Sequence, residues 1–80
     1  MEIVKGCVVK AKAGRDKNGY FVVLDLDGEY AMISDGKRRL LEKPKRKKYK
    51  HLSLTNTVLE SGSMSTNREI RKALSQFNKD

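Results

Sequence analysis

NGYFVVLDLDGEYAMISDG, residues 18–36, is the stretch that decides the fold. Three turn dipeptides punctuate it: Asn18-Gly19, Asp27-Gly28 and Asp35-Gly36. Both residues of each pair tolerate positive φ, which a type I′ hairpin turn requires at its two central positions. Between the first two pairs, Tyr20, Val22, Leu24 and Leu26 alternate with Phe21 and Val23, so each set lines one face of a strand. Tyr30, Ala31, Met32, Ile33 and Ser34 form the strand across the Asp27-Gly28 turn. Strand formers separated by closely spaced turns predict an antiparallel meander or small barrel rather than βαβ units.

Outward from this hairpin the pattern weakens but persists. Residues 3–12 alternate loosely around Cys7, Val8 and Val9 and predict a first strand. Residues 38–42 predict a fourth, and Leu52, Ser53 and Leu54 a fifth. Past residue 58 the character changes. Residues 59–65 are rich in Ser and Gly and read as a linker. Thr66 with Glu69 three residues on matches a capping box. Ile70, Ala73, Leu74 and Phe77 then lie at i, i+3, i+4 and i+7, an apolar stripe on a helix over residues 66–78. A helix this short is marginal alone. Its Ile70/Leu74/Phe77 face is expected to pack on the β domain (residues 1–58); the alternative is a protein partner.

Charge is the second informative feature. The chain has 80 residues and a formal net charge of +8. Residues 37–50, KRRLLEKPKRKKYK, hold nine of the eighteen Lys and Arg and only one of the ten acids. The remainder balances nine against nine, so the whole excess belongs to one segment. A field focused in this way points to a polyanion, nucleic acid first. Leu40 and Leu41 interrupt the charge as apolar anchors, and Pro44 removes a ladder donor and stops a helix. Lys45, Arg46, Lys47, Lys48, Tyr49, Lys50 and His51 are then expected as an extended strip on the surface. Tyr49 either stacks on a base or ribose or pins the strip to the core. A run of residues 43–48 also matches short nuclear-import clusters, a pattern frequent by chance. A second basic element is the loop Ala13, Gly14, Arg15, Asp16, Lys17, Asn18, Gly19. Here Arg15 and Lys17 are expected outward, with Asp16 bonding local amides or pairing with a neighbouring cation.

These motifs carry a resemblance. Gly6-Cys7-Val8-Val9, Ala13-Gly14-Arg15-Asp16 and Tyr20-Phe21-Val22-Val23, in that order, resemble a KOW motif, the strand–loop–strand unit of several ribosomal and transcription proteins. With residues 34–39 and 43–52 added, the chain is similar to bacterial KOW-domain RNA-binding proteins related to the fourteen-e family of large-subunit ribosomal proteins. The similarity covers residues 4–57. It implies a mainly β fold, a small SH3-like barrel of KOW type with about five strands, followed here by the short C-terminal α-helix. It also implies RNA as partner, ribosomal RNA or the ribosome first, and no catalytic activity. The glycine usual in the KOW loop is replaced by Asn18, with Gly19 next; Asn also adopts left-handed backbone.

The expected RNA contacts are thus Arg15, Lys17, Lys37, Arg38, Arg39, Lys43, Lys45, Arg46, Lys47, Lys48, Tyr49, Lys50 and His51. Gly14, Asp16, Asn18 and Gly19 shape the loop. Non-specific duplex DNA binding and docking of an acidic protein are the alternatives. Catalysis is not expected, because His51 and Cys7 stand alone of their kinds and no P-loop is present. No cofactor or metal is expected for the same reason. With one cysteine, no apolar run of membrane-spanning length and a start unlike a signal peptide, the expected setting is cytoplasmic, away from membranes.

Overall fold

A computed structural model describes residues 3–78. Five antiparallel strands form one sheet: β1 (Cys7–Ala11), β2 (Tyr20–Asp27), β3 (Tyr30–Ser34), β4 (Lys45–Lys48) and β5 (Leu52–Val58). Their order is β4-β3-β2-β1-β5, so the meander predicted by the turn dipeptides closes with β5 returning beside β1. A 3₁₀ turn over Tyr49–His51 carries the chain from one edge strand to the other. The architecture is that of a small SH3-like barrel, with one short helix, α1 (Asn67–Leu74), after it. Residues 1 and 2 of the expected barrel segment lie outside the described residues.

Two apolar layers explain the shape. The inner layer joins Cys7, Val9, Ala11, Phe21, Val23, Ala31, Ile33 and Leu52, all buried. The outer layer lies on the other face of β1 and β2, where Val8 and Val22 meet Ile70 and Leu74 of α1. Strand alternation lets β1 and β2 contribute to both layers, and the helix covers the face that would otherwise meet water. The predicted stripe therefore packs on the barrel, with Phe77 set against Tyr20 at 5.3 Å between ring centroids. The capping box also forms: Thr66 Oγ1 accepts from Glu69 N at 3.1 Å, and Glu69 Oε1 accepts from Thr66 N at 3.1 Å.

Several expectations need correction. Residues 38–42 are not a strand; the fourth strand is Lys45–Lys48, the basic run itself. Asp35 is the cause, since its Oδ1 accepts from the backbone N–H groups of Lys37, Arg38 and Arg39, each at 2.9 Å. Those amides cannot also serve a ladder. Leu40 is exposed rather than an anchor, whereas Leu41 packs on the outer layer. Leu26 faces inward with Phe21 and Val23, because the β2–β3 register shifts between Val23 and Asp25. One extra residue in a strand reverses the facing of every residue after it. The β2–β3 turn is centred on Gly28 and Glu29, and only Gly28 has positive φ (60°), the pattern of a type II′ turn.

At the C-terminal side, α1 ends at Leu74 and a hydrogen-bonded turn carries the chain to Asn78. Residues 59–65 are not free linker. Leu59 and Met64 pack on the outer layer, and a 3₁₀ turn, Ser61–Ser63, lies between them. No described helix is long and apolar enough to cross a membrane.

Candidate nucleic-acid interface

The β1–β2 loop, residues 12–19, is built on its own backbone. Asn18 N donates to Ala11 O at 2.8 Å, Lys17 N to Gly14 O at 3.2 Å, and Gly19 N to Asp16 O at 2.9 Å. Gly14 and Asn18 both take positive φ, 80° and 73°, and Asn18 is the one described non-glycine residue in that left-handed region. Arg15 and Lys17 are exposed, as expected.

Asp16 does something the sequence did not announce. Its carboxylate is buried and receives a two-point contact from Arg39, Nε to Oδ1 at 3.2 Å and Nη2 to Oδ2 at 3.0 Å. The fork geometry of a guanidinium matches a carboxylate in this way. Arg39 is thus engaged in joining the β1–β2 loop to the β3–β4 loop. Neither Arg15 nor Lys17 is its partner. Lys47 makes a second tie, its Nζ donating to Ala13 O at 2.7 Å.

The β3–β4 loop is held with equal care. Beyond the three amides on Asp35, Ser34 Oγ donates to Arg39 O at 2.6 Å. Gly36 has φ of 72° and sits against the backbone of Asn67. Helix α1 grips the loop from outside: Arg71 Nη1 donates to Gly36 O at 2.8 Å, and Asn67 Oδ1 accepts from Leu41 N at 2.7 Å. Asn67 Nδ2 also donates to both oxygens of Glu42, at 2.9 and 3.1 Å.

These ties bring two sequence-distant basic loops side by side. An open cleft of about 430 Å³ is lined by Arg15, Asp16, Arg38 and Arg39. A second cleft, of about 250 Å³, shares Arg15, Asp16 and Arg38 and adds Lys17 and Lys37. A third, of about 240 Å³, continues from Lys37 to Arg71 on α1. Both carboxylates in this run are occupied, Asp16 by Arg39 and Asp35 by the loop amides. Arg15, Lys17, Lys37 and Arg38 are left exposed along one groove. Arg71 was not anticipated. Its place between Ile70 and Leu74 marks it only as solvent-facing, and no local pattern announces a contact with Gly36.

The rest of the basic segment divides between two faces. In β4, Lys45 pairs with Ile33 and Lys47 with Ala31, whose side chains belong to the inner layer. Arg46 pairs with Met32 and Lys48 with Tyr30, on the opposite face. A four-residue strand cannot present all its side chains on one side. The single extended strip expected from the sequence is therefore two half-strips. Tyr49 is half-buried against the inner layer, the setting that the pinning alternative expects. Lys43 and Lys50 are exposed. His51 is half-buried, and its carbonyl accepts from Lys12 N at 2.8 Å.

Arg46 has a distinctive setting. Its guanidinium carbon lies 3.8 Å over the centroid of the Tyr30 ring, and Nη2 is 3.5 Å from Asp27 Oδ2. Lys48 Nζ approaches the same ring at 5.8 Å.

Among the described residues no group of three or more His, Cys, Asp or Glu is placed to hold a metal. Burial pushes the Cys7 thiol above its ordinary pKa. No family model and no curated protein shows significant similarity to this chain.

Proposed function

We propose that the protein is an RNA-binding module of KOW type that grips the phosphate backbone of structured RNA, ribosomal RNA first, in the groove between the β1–β2 and β3–β4 loops. The observation that carries this is the convergence of Arg15 and Lys17 with Lys37 and Arg38. Two loops some twenty residues apart in sequence are stapled together by Asp16–Arg39 so that four exposed cations share one groove. Phosphate contacts from a pre-ordered loop lose little side-chain freedom on binding and release counterions. Phosphates position the partner, and sequence preference must come from base or sugar contacts elsewhere. On this proposal the chain is a binding module rather than an enzyme, working with cytoplasmic RNA.

The test is a salt titration with a structured ribosomal RNA fragment. Four phosphate contacts predict that log affinity falls against log salt with a slope of about −3. Lys37→Ala with Arg38→Ala is expected to flatten that slope by about 1.5 and leave the unfolding midpoint unchanged, because the amides on Asp35 remain. A flat slope in the native protein, or an unchanged one in the double variant, would overturn the proposal. Competition by duplex DNA of equal length separates RNA from general polyanion binding; equal competition would favour a DNA-binding role.

A further inference from the structure

The part of the sheet's outer face that lies beyond the apolar layer under α1 carries an aromatic–cation pair. Three strands contribute rows of side chains to it: Asp27, Tyr30 and Lys48 in one row, Asp25, Met32 and Arg46 in the next. Tyr30 and Met32 are half-buried there yet belong to neither cluster. Arg46 lies over Tyr30 with its guanidinium carbon 3.8 Å from the ring centroid, well inside cation–π range. Asp27 holds the guanidinium from one side at 3.5 Å. The guanidinium thus rests over the tyrosine ring, while the Arg46 side chain stays 54% exposed. A lone surface arginine is rotationally free; this one, on the edge strand β4, rests on a ring of the neighbouring strand β3.

We infer that Arg46, backed by Tyr30 and clamped by Asp27, is a stacking platform for one unpaired nucleobase. Arginine planes and aromatic rings are the surfaces on which proteins stack splayed-out RNA bases. A guanidinium already seated on an aromatic ring gives up little freedom when a base lands on its other face. Lys48, next to the ring, is placed to meet the phosphate of the same nucleotide. The groove lined by Arg38 lies beyond the C-terminal end of β3, and Tyr30 begins that strand. The strand from Tyr30 to Ser34, about 13 Å of extended chain, lies between the platform and the loop that carries Arg38. The inference rests on the RNA proposal and narrows it: the target carries an unpaired nucleotide in addition to the phosphates held in the groove, which a perfect duplex lacks. It also transfers the base contact from Tyr49, which faces the core, to Arg46.

The experiment compares a short labelled oligouridylate with an abasic ribose-phosphate strand of the same length, by fluorescence anisotropy on the full chain. Uridine is chosen because it competes least by stacking on itself. Expected is tighter binding of the base-bearing strand by about fivefold or more, the ratio equivalent to the lower end of one stacked base. Arg46→Lys keeps the charge but has no plane, so the ratio should fall to near one while abasic affinity and its salt slope hold. A ratio near one in the native protein, or a preserved ratio in Arg46→Lys, would overturn the platform. If structured RNA still binds with the expected salt slope in that case, the groove proposal stands and only the platform fails. If neither strand nor structured RNA binds, both fall.

Discussion

Asp16 shows how much one buried carboxylate can organise. It lies in an exposed loop, yet its side chain is 3% exposed and both oxygens meet Arg39. Charge-assisted hydrogen bonds of this kind contribute about 1.5–3 kcal/mol, and the 29% exposure of Arg39 argues for the lower half. Asp16→Asn keeps the shape but removes the charge. We expect it to lower stability by about 2 kcal/mol, read as a fall in the urea midpoint at constant slope. It should also weaken RNA binding, because Arg15 and Arg38 lose their common support. Asp25 is a contrasting case. The Leu26 amide, and then Lys5 at 3.5 Å, hold its carboxyl below the ordinary value, but it is exposed. A depressed carboxyl adds stability that is present above the unfolded pKa and is lost as pH falls through the folded one. At an exposed position that contribution is small and screened by salt.

Helix α1 is short, and neither its propensity nor its length would sustain it alone. It persists because Ile70 and Leu74 are buried on Val8 and Val22, with the capping box closing its start. Leu74→Ala should cost about 3 kcal/mol through lost burial and the cavity left behind. Thr66→Ala should cost about 1 kcal/mol through the lost cap. Denaturant unfolding distinguishes the two. Only Leu74→Ala should also reduce RNA affinity, since Asn67 and Arg71 hold the β3–β4 loop only while the helix is seated. The capping box and stripe were legible because each is set by contacts three or four residues apart. The grip on the loop was not, because Asn67 and Arg71 reach Leu41 and Gly36 through space. The same division applies to the strands. Turn dipeptides and alternation marked β2 and β3, while the Asp35 amide cage that displaced β4 to residues 45–48 combined a side chain with a conformation.

For the whole molecule, Cys7 is a built-in reporter. It is 3% exposed in the inner layer, and burial raises its thiol pKa, so little thiolate is present or reachable in the folded state. Alkylation at neutral pH should be slow in the native protein and rapid in denaturant, with the native rate tracking global opening rather than local fraying. Rapid native labelling would mean that the barrel opens more readily than its packing implies. By itself the sequence determined an antiparallel β domain with a capped amphipathic helix, and a charge excess confined to one segment. Hydrophobic periodicity, turn chemistry and composition are local properties, and each survives without knowing what lies nearby. Tertiary structure alone decided which cations are available. It tied Arg39 and Lys47 into the loops, divided β4 between two faces and set Arg46 on Tyr30. Whether a charged group is free or engaged depends on partners distant in the chain, and only the closed sheet brings them within hydrogen-bonding reach.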